Sequence, residues 1–408
     1  MDSFGTAAKK AVWRDARAVA LLMAAMLTTM ANATISPALP GLQRLFAEDP
    51  YAEILTRLLV PAPSLSVALS APIAGLAADR FGRRRLLLLG VTMFVIAGSA
   101  GLFLPDLPTI FISRLVLGLA VGLIMTAQTA LIGDYFSGVE RSALTGLQIS
   151  ARNFGGLLFI TLAGCVALIS PRMPFAIYAL AILLLPLMWR VIVDASPPSP
   201  GQSIGAAART EGKSWRLFFS GLVLLQALTN LLFFIVPTQL PFFFDSYGHG
   251  GGVTTGAALG TLMLAGGVFA LLYPRLYRAS GYAGVFILGY TAMGVGFALL
   301  IVGAVGPLSF AGAASIGAGY AIVSPTFVAL LLNLAPARRR GLAGGILTAS
   351  VFIGQFCSPL LSTPAISAFG YEGLFGGTAL ILATMALAAV VCAALTRLRS
   401  GLRPAASS

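Results

Sequence analysis

The sequence has few charged side chains. Asp, Glu, Lys and Arg together make up 10% of its 408 residues, whereas hydrophobic residues make up 58%. A soluble domain of this size could not cover its surface with so few charges. The composition therefore excludes a soluble fold, and the lipid bilayer is the expected surrounding of the chain.

Cysteine and histidine are also scarce. Cys165, Cys357 and Cys392 stand far apart, and His249 is the single histidine. Zinc sites and disulfide frameworks need clusters of these residues, so we predict no metal site. The sequence has no Gly-x-x-x-x-Gly-Lys-Ser/Thr loop, which argues against an ATP-driven pump. The apolar runs lack a nucleophile–base or paired-carboxylate cluster, so we expect no cofactor and no enzymatic activity.

The sequence does contain many long apolar runs. Each has roughly 18 to 25 residues, enough at 1.5 Å per residue to cross a hydrocarbon core of about 30 Å as a helix. Because the runs are rich in Leu, Ala and Gly and lack the alternation of barrel strands, we predict an all-α polytopic membrane protein of twelve transmembrane helices. The predicted spans are residues 18–40, 58–78, 86–104, 108–133, 143–168, 173–193, 217–243, 254–274, 282–303, 307–333, 342–368 and 373–395.

The twelve runs form two sets of six. Residues 195–215 between them are rich in Ser, Pro, Gly and Ala, as is typical of a linker. We therefore predict two pseudo-symmetric six-helix bundles, residues 1–194 and 216–408. Matching residues recur in both halves at a constant offset of 199: Gly82 and Gly281, Gly118 and Gly317, Asp134 and Asn333, Arg141 and Arg340, Gly146 and Gly345, and Gly155 and Gly354.

Basic residues are distributed unevenly between alternate loops. Arg44, Arg57 and Arg172 are the only Lys or Arg residues on one side, and most of the others lie in the loops of the opposite side. We call these two sides of the molecule the arginine-poor end and the arginine-rich end. The positive-inside rule places the arginine-rich end, with both termini and the linker, in the cytoplasm. The net charge of +13 is thus explained by topology in a bacterial-type inner membrane, with no nucleic-acid partner.

The most specific stretch runs from Gly75 to Arg85, between the second and third spans, and reads Gly-Leu-Ala-Ala-Asp-Arg-Phe-Gly-Arg-Arg-Arg. Gly82 suits a tight turn between two spans, and Asp79 can pair with arginines. The stretch resembles, in sequence and position, the Gly-x-Leu-x-Asp-Arg-x-Gly-Arg-Arg/Lys motif of the major facilitator superfamily.

The resemblance implies a monomeric secondary transporter, in which two six-helix bundles rock around a central site for a small-molecule substrate. It also implies a cytoplasmic latch between the halves. The residues expected to form this latch are Gly75, Asp79, Arg80, Gly82, Arg83, Asp134 and Arg141.

Two arginines, Arg114 and Arg152, fall inside predicted spans. Arg114 begins a stretch with Gly118 and Gly122 that is similar to the family's pattern for the fourth helix. A charge within a span costs at least a few kcal/mol, and no Asp or Glu falls near the middle of a predicted span. We expect both arginines to face a watery cavity, where one or both contact an anionic or strongly polar substrate. The alternative is that they bond backbone carbonyls or extend their side chains toward the membrane surface.

Uncharged polar side chains complete the predicted cavity. Gln148 lies one turn before Arg152, and Gln226 one turn before Asn230, so each pair shares a helix face. Asn32 on the first span precedes two prolines, as Asn230 does on the seventh. The cavity is therefore expected to contain Asn32, Arg114, Gln148, Arg152, Gln226 and Asn230, although such amides also join helices to one another.

The direction of transport is left open. Drug antiporters of the family commonly carry a Gly-Pro-x-x-Gly-Gly core on the fifth span, whereas this chain has no proline there. We expect proton-coupled efflux of a small amphiphilic compound. Uptake or facilitated diffusion of an organic anion is the alternative, and a receptor or channel without coupled transport comes after it. Arginine does not titrate, so Glu53 and Asp245 are the candidate proton carriers.

Overall fold

The computed structural model describes residues 15–136, 138–194, 213–248, 251–303, 306–335 and 340–401, and these ranges are helical with no strand among them. Most of the predicted linker and His249 lie outside the described residues. In chain order the α-helices are α1 Ala16–Ala33, α2 Leu39–Leu45, α3 Ala52–Leu58, α4 Ala62–Phe81, α5 Arg83–Ser99, α6 Leu107–Tyr135, α7 Gly138–Val166, α8 Pro174–Ile177, α9 Leu184–Val191, α10 Lys213–Ser246, α11 Gly252–Gly303, α12 Pro307–Leu334 and α13 Arg340–Gly401.

Many of these helices are able to cross a bilayer. Among the described residues, nine helical segments are long and apolar enough, or ten if a bent pair counts as one broken span. The bent pair is Ala52–Leu58 with Ala62–Ser70, which meet at 52°. The predictions of an all-α fold and of a multi-pass membrane protein are therefore confirmed.

Two of the helices are too long for one crossing. α11 has 52 residues, and α13 has 62. At 1.5 Å per residue α11 alone would measure about 78 Å, more than twice the hydrocarbon core. Each helix is broken at one glycine, Gly281 with φ 64° and Gly370 with φ 69°. Glycine reaches such positive φ values without the steric cost that a Cβ atom brings.

The ends of the predicted spans shift where the helices bend. The first span extends to Leu45 through a short 3-10 segment, Ser36–Ala38, which contains Pro37. Proline lacks an N–H group and cannot continue the α-helical hydrogen bonding, so the break falls at this point. The sixth span is divided as well, with a 3-10 segment at Tyr178–Leu183.

The 199-residue offset recurs in the packing. A Cβ atom on Gly118 would lie 2.2 Å from the carbonyl oxygen of Pro63, and one on Gly317 would lie 2.0 Å from that of Leu262. Pro63 and Leu262 are themselves 199 positions apart. The same close helix contact is therefore built twice, and in each copy only glycine lets the two backbones approach this closely.

The two halves meet along α7 and α11. A Cβ atom on Gly164 would lie 2.5 Å from the carbonyl oxygen of Gly252, and one on Gly256 would lie 2.9 Å from the Cα atom of Gly164. These glycines lie toward the arginine-poor end of both helices. The helix backbones are thus in direct contact there, which seals one end of the boundary between the halves.

Candidate functional site

A cavity of about 420 Å³ lies between the two halves. Helices α1, α6 and α7 line it from one half, and α10 to α13 line it from the other. Its apolar walls include Met125, Phe233, Phe234, Met263 and Phe352. Apolar walls with a few polar groups are typical of sites for small organic molecules.

Arg152 on α7 is the charged residue of this cavity, and no Asp or Glu occurs among the described lining residues. Its Nε atom is buried and has no hydrogen-bond partner in the described part of the chain. None of the ion pairs there includes Arg152. Because a guanidinium stays protonated, the cavity carries a fixed positive charge. Gln148, one turn nearer the arginine-rich end, does not line the cavity.

Three polar side chains join the halves on the side of the cavity that faces the arginine-poor end. The Asn32 amide donates to Ser64 Oγ at 3.3 Å and to Gln355 Oε1 at 3.4 Å, and Ser64 Oγ donates to Gln355 Oε1 at 2.7 Å. Asn32 and Ser64 belong to the first half and Gln355 to the second. Asn32 lies in the cavity as the sequence predicts, and Gln355 is a lining residue that sequence reasoning missed.

Asn230 acts on the cavity through a neighbour. It is fully buried, donates to the carbonyl oxygen of Gln226 at 2.9 Å and accepts at 2.8 Å from the hydroxyl of Tyr320. Tyr320 lines the cavity and stacks on Phe233 with ring centroids 3.9 Å apart. Asn230 and Gln226 do not themselves line the cavity. They hold Tyr320 in place, which is the helix-joining role that the sequence allowed for such amides beside a place in the cavity.

Arg114 also lies outside the cavity. It is fully buried within the first half, where Nη2 donates to the carbonyl oxygen of Ala31 at 2.6 Å and to Tyr178 Oη at 2.8 Å. Its guanidinium carbon lies 4.7 Å from the Tyr178 ring centroid. The bend that follows α1 leaves the Ala31 carbonyl oxygen for Arg114 to bind. Of the two alternatives, the structure therefore favours backbone bonding for Arg114.

Ion pairs close the arginine-poor end. Arg44 at the end of α2 bonds both carboxylate oxygens of Asp245 on α10 at 2.8 Å, which links the two halves. Arg57 pairs with Glu53 on α3 and lies 4.7 Å from the ring centroid of Phe242 on α10. Polar and cation–π contacts therefore join the halves above the cavity.

The two candidate proton carriers, Glu53 and Asp245, are thus both ion-paired in this conformation. The arginine partner is Arg57 for Glu53 and Arg44 for Asp245. Their role in coupling stays a prediction.

At the arginine-rich end, the latch residues bond within the first half. Gly82 has φ 89° and separates α4 from α5, as the motif predicts. Arg83 pairs with Asp134, and the Arg84 backbone N–H donates to Asp194 at 2.8 Å. No contact that the described residues give Arg83 or Arg84 reaches the second half.

The remaining latch residues make few contacts. Arg80 is exposed beside Phe81, and Arg141 is exposed with its guanidinium near Gly133. Gly75 lies within α4, and the side chain of Asp79 lies outside the described part of the structure. A latch between the halves therefore stays a prediction.

The start of α1 is fixed near the same end. The Arg17 side chain donates to Asp15 at 2.8 Å and lies 4.9 Å from the ring centroid of Tyr135 on α6. The hydrogen bond from Arg17 lowers the pKa of the Asp15 carboxyl. This contact holds the start of α1 against the end of α6.

A sequence model described as the Major Facilitator Superfamily matches residues 21–282, well over half of the chain. The chain belongs to this superfamily. Membership identifies it as a transporter and not an enzyme, as the sequence predicted. The family's fold accounts for a small-molecule cavity lined by both halves.

The relatives include a resistance protein and a sugar transporter. The chain is 24% identical over 319 residues to the quinolone resistance protein NorA of Staphylococcus aureus, covering 75% of this chain and 79% of NorA. It is 41% identical over 88 residues to a D-xylose transporter of Levilactobacillus brevis, of which it spans 18%.

Solved structures agree in fold. A D-xylose–proton symporter superposes with a TM-score of 0.74 at 19% identity, covering 91% of this chain and 96% of the symporter. The human organic anion transporter MFSD10 gives a TM-score of 0.69 at 18% identity, covering 91% of this chain and 99% of MFSD10.

Two cavity residues that sequence reasoning missed, Tyr320 and Gln355, stand at positions where the first half has an apolar residue. Tyr320 stands 199 positions after Val121, and Gln355 stands at the same offset from Gly156. A position that is apolar in one half and polar in the other indicates a side chain whose contacts differ between the halves. That comparison, applied along the whole repeat, would have pointed to both side chains.

Proposed function

We propose that this member of the superfamily is a secondary active transporter with twelve spans, formed by six-helix halves at residues 1–194 and 216–408. Dividing α11 and α13 at Gly281 and Gly370, and joining α3 to α4, raises the nine candidate spans to twelve. The halves rock about the central cavity and open it to each side in turn.

The observation that carries this proposal is the position of the cavity. It is lined from both halves, and among the described residues the polar contacts that join the halves lie on one side of it, at the arginine-poor end. A site sealed at one end by contacts that can separate is what alternating access requires.

The arginine-poor end is taken as external on the positive-inside rule, so this conformation is closed to the outside. A reporter fused after Ser408 should therefore report the cytoplasm, and one fused after Gly248 the exterior, in a bacterial inner membrane. Opposite results at either site would require a different span count.

The cargo is a small amphiphilic compound. Efflux driven by protons is the first candidate, supported by the similarity to NorA along most of both chains. Uptake or facilitated diffusion of an organic anion is the second, and Arg152 favours it because the cavity has a cation without a described partner. Proton coupling through Glu53 or Asp245 belongs to the first candidate alone.

Counterflow in proteoliposomes tests the transport function. Vesicles preloaded with an unlabelled compound should transiently accumulate the labelled form from outside, and protein-free vesicles should not. Uptake that rises linearly with concentration and shows no counterflow would indicate a channel. An imposed pH gradient then tests coupling, because proton-driven efflux must respond to its direction.

A further inference from the structure

The central cavity holds a charge that nothing in the described structure neutralises. Arg152 lines the cavity, its Nε atom is buried without a partner, and the described lining contains no carboxylate. An arginine cannot lose this charge by releasing a proton. An uncompensated cation at membrane depth is costly, so a bound group of opposite charge would be stabilised there.

We infer that the cargo is a monoanion with an apolar body, and that its negative group binds the guanidinium of Arg152. This inference rests on the proposed transport function and names the class of substrate. One fixed cation matches one negative charge, and a planar guanidinium binds a carboxylate or sulfonate through paired hydrogen bonds.

The rest of the cavity fits the body of such a molecule. The stacked rings of Phe233 and Tyr320 form one wall, and Met263 and Phe352 add apolar surface. A volume of about 420 Å³ accommodates an aromatic or branched aliphatic body with one ionic group. A cationic amphiphile of the same shape would meet Arg152 without a counter-charge.

The same charge affects the empty transporter. When both ends close, the loaded cavity holds a neutral pair, whereas the empty cavity holds a bare cation. The empty form should therefore change conformation more slowly than the loaded form. The transporter consequently favours exchange of one anion for another over net movement.

Three probes with one body separate charge from shape: phenylpropanesulfonate, phenylpropanol and phenylpropyltrimethylammonium. In thermal-shift titrations of the full chain in detergent, the sulfonate should bind tighter than the other two by about tenfold to a hundredfold, the usual value of hydrogen bonds to a charged group. Arg152→Gln should abolish that preference. Arg190→Gln, which removes an exposed charge outside the cavity, should retain it.

The repeat supplies a stricter variant. Val351 stands 199 positions after Arg152 and also lines the cavity. Arg152→Val combined with Val351→Arg moves the cation across the cavity and should restore the preference for the sulfonate. Equal binding of all three probes by the native chain, binding of none of them in the millimolar range, or a preference that survives Arg152→Gln would overturn the inference.

Exchange in proteoliposomes gives a readout that a structural role for Arg152 would not produce. External sulfonate should speed the exit of preloaded labelled sulfonate from vesicles with the native chain, because the loaded form changes conformation faster than the empty form. With Arg152→Gln, exit should not depend on external sulfonate. Anion-selective binding without any exchange would refute the transport function and leave the site assignment standing. Exchange that is unchanged in Arg152→Gln would refute the site assignment alone.

Discussion

The two halves of the chain use the same packing and different polar chemistry. At the turn after Gly82, Arg83 forms an ion pair with Asp134. The residues 199 positions later, Tyr282 and Asn333, form a neutral hydrogen bond of 2.5 Å at the turn after Gly281. The contact between corresponding pairs of helices is thus an ion pair in the first half and a hydrogen bond between neutral groups in the second.

The intramembrane charges show the same difference. Arg114 and Arg152 belong to the first half, and the repeat places Ala313 and Val351 at the corresponding positions of the second. The glycine contacts, by contrast, recur closely. Cβ atoms on Gly90 and Gly289 would lie 3.2 and 2.9 Å from carbonyl oxygens of Ala120 and Gly319, which are also 199 positions apart.

The comparison indicates that helix packing is kept in both halves, whereas the charged side chain of the described cavity lining comes from the first half. Backbone contacts at glycine depend on shape, so both halves need them for the same fold. A single cation in a shared cavity suffices to bind one anion. The first half therefore supplies the charge, and the second supplies aromatic and amide groups from Tyr320 and Gln355.

The largest expected effect tests the shared packing. Gly118→Ala and Gly317→Ala each place a Cβ atom inside a backbone contact, so each should lower the free energy of unfolding by about 2 kcal/mol or more. Gly146→Ala and Gly345→Ala are matched controls, since a Cβ atom at either position meets nothing within 4 Å. These controls should leave stability unchanged or raise it slightly through helix propensity.

Thermal unfolding in detergent, followed by fluorescence-detected size exclusion, measures all four variants. An equal loss of stability in Gly118→Ala and Gly317→Ala supports equivalent packing in the two halves. If only one half responds, the repeat would be a feature of sequence and not of structure.

The two arginines of the first half should respond with opposite signs. Arg114→Met removes bonds to Ala31 and Tyr178 within a closed core and should cost about 1.5–3 kcal/mol of unfolding free energy. Arg152→Met removes an unpaired cation and should raise the unliganded stability. Melting temperatures without ligand decide the matter. A decrease for Arg152→Met would mean that this arginine is structural.

The smallest expected effect concerns the paired turns at the arginine-rich end. Arg83 and Asp134 have side chains 28% and 10% exposed, so the loss of the ion pair in Arg83→Gln should cost about 1 kcal/mol and depend on salt. Tyr282→Phe should cost about 0.5–1 kcal/mol with no salt dependence. Melting temperatures at low and high salt distinguish the two, and equal salt dependence would show that the turns do not differ in chemistry.

The sequence predicted the helices well because length and hydropathy decide whether a segment crosses lipid. It could not predict which way a polar side chain faces around a helix. Arg114 and Arg152 looked equivalent as lone charges within spans, yet Arg114 bonds the Ala31 carbonyl oxygen and Tyr178 near a bend, and Arg152 faces the cavity. Pro37 marks the bend in the sequence, but no local pattern indicates that Arg114 on α6 lies beside Ala31 and Tyr178.

The sequence also could not predict which polar residues far apart in the chain contact each other. Asn32, Ser64 and Gln355 meet only because the two halves close at the arginine-poor end. Arg44 and Asp245 are 201 positions apart, so their ion pair follows from the fold and not from a motif. The 199-residue offset was the one feature of the sequence that related distant positions. It predicted the glycine backbone contacts better than the contacts of polar side chains.

Alternating access is tested most directly by distances at the two ends of the same molecule. Spin labels at Leu45→Cys and Val253→Cys report the arginine-poor end, and labels at Phe81→Cys and Leu342→Cys report the arginine-rich end. All four side chains are exposed, and Cys165, Cys357 and Cys392 would first be replaced by alanine. Addition of phenylpropanesulfonate should shift both distance distributions, one end lengthening as the other shortens. Distances that stay fixed, or that change together in the same direction, would contradict the account.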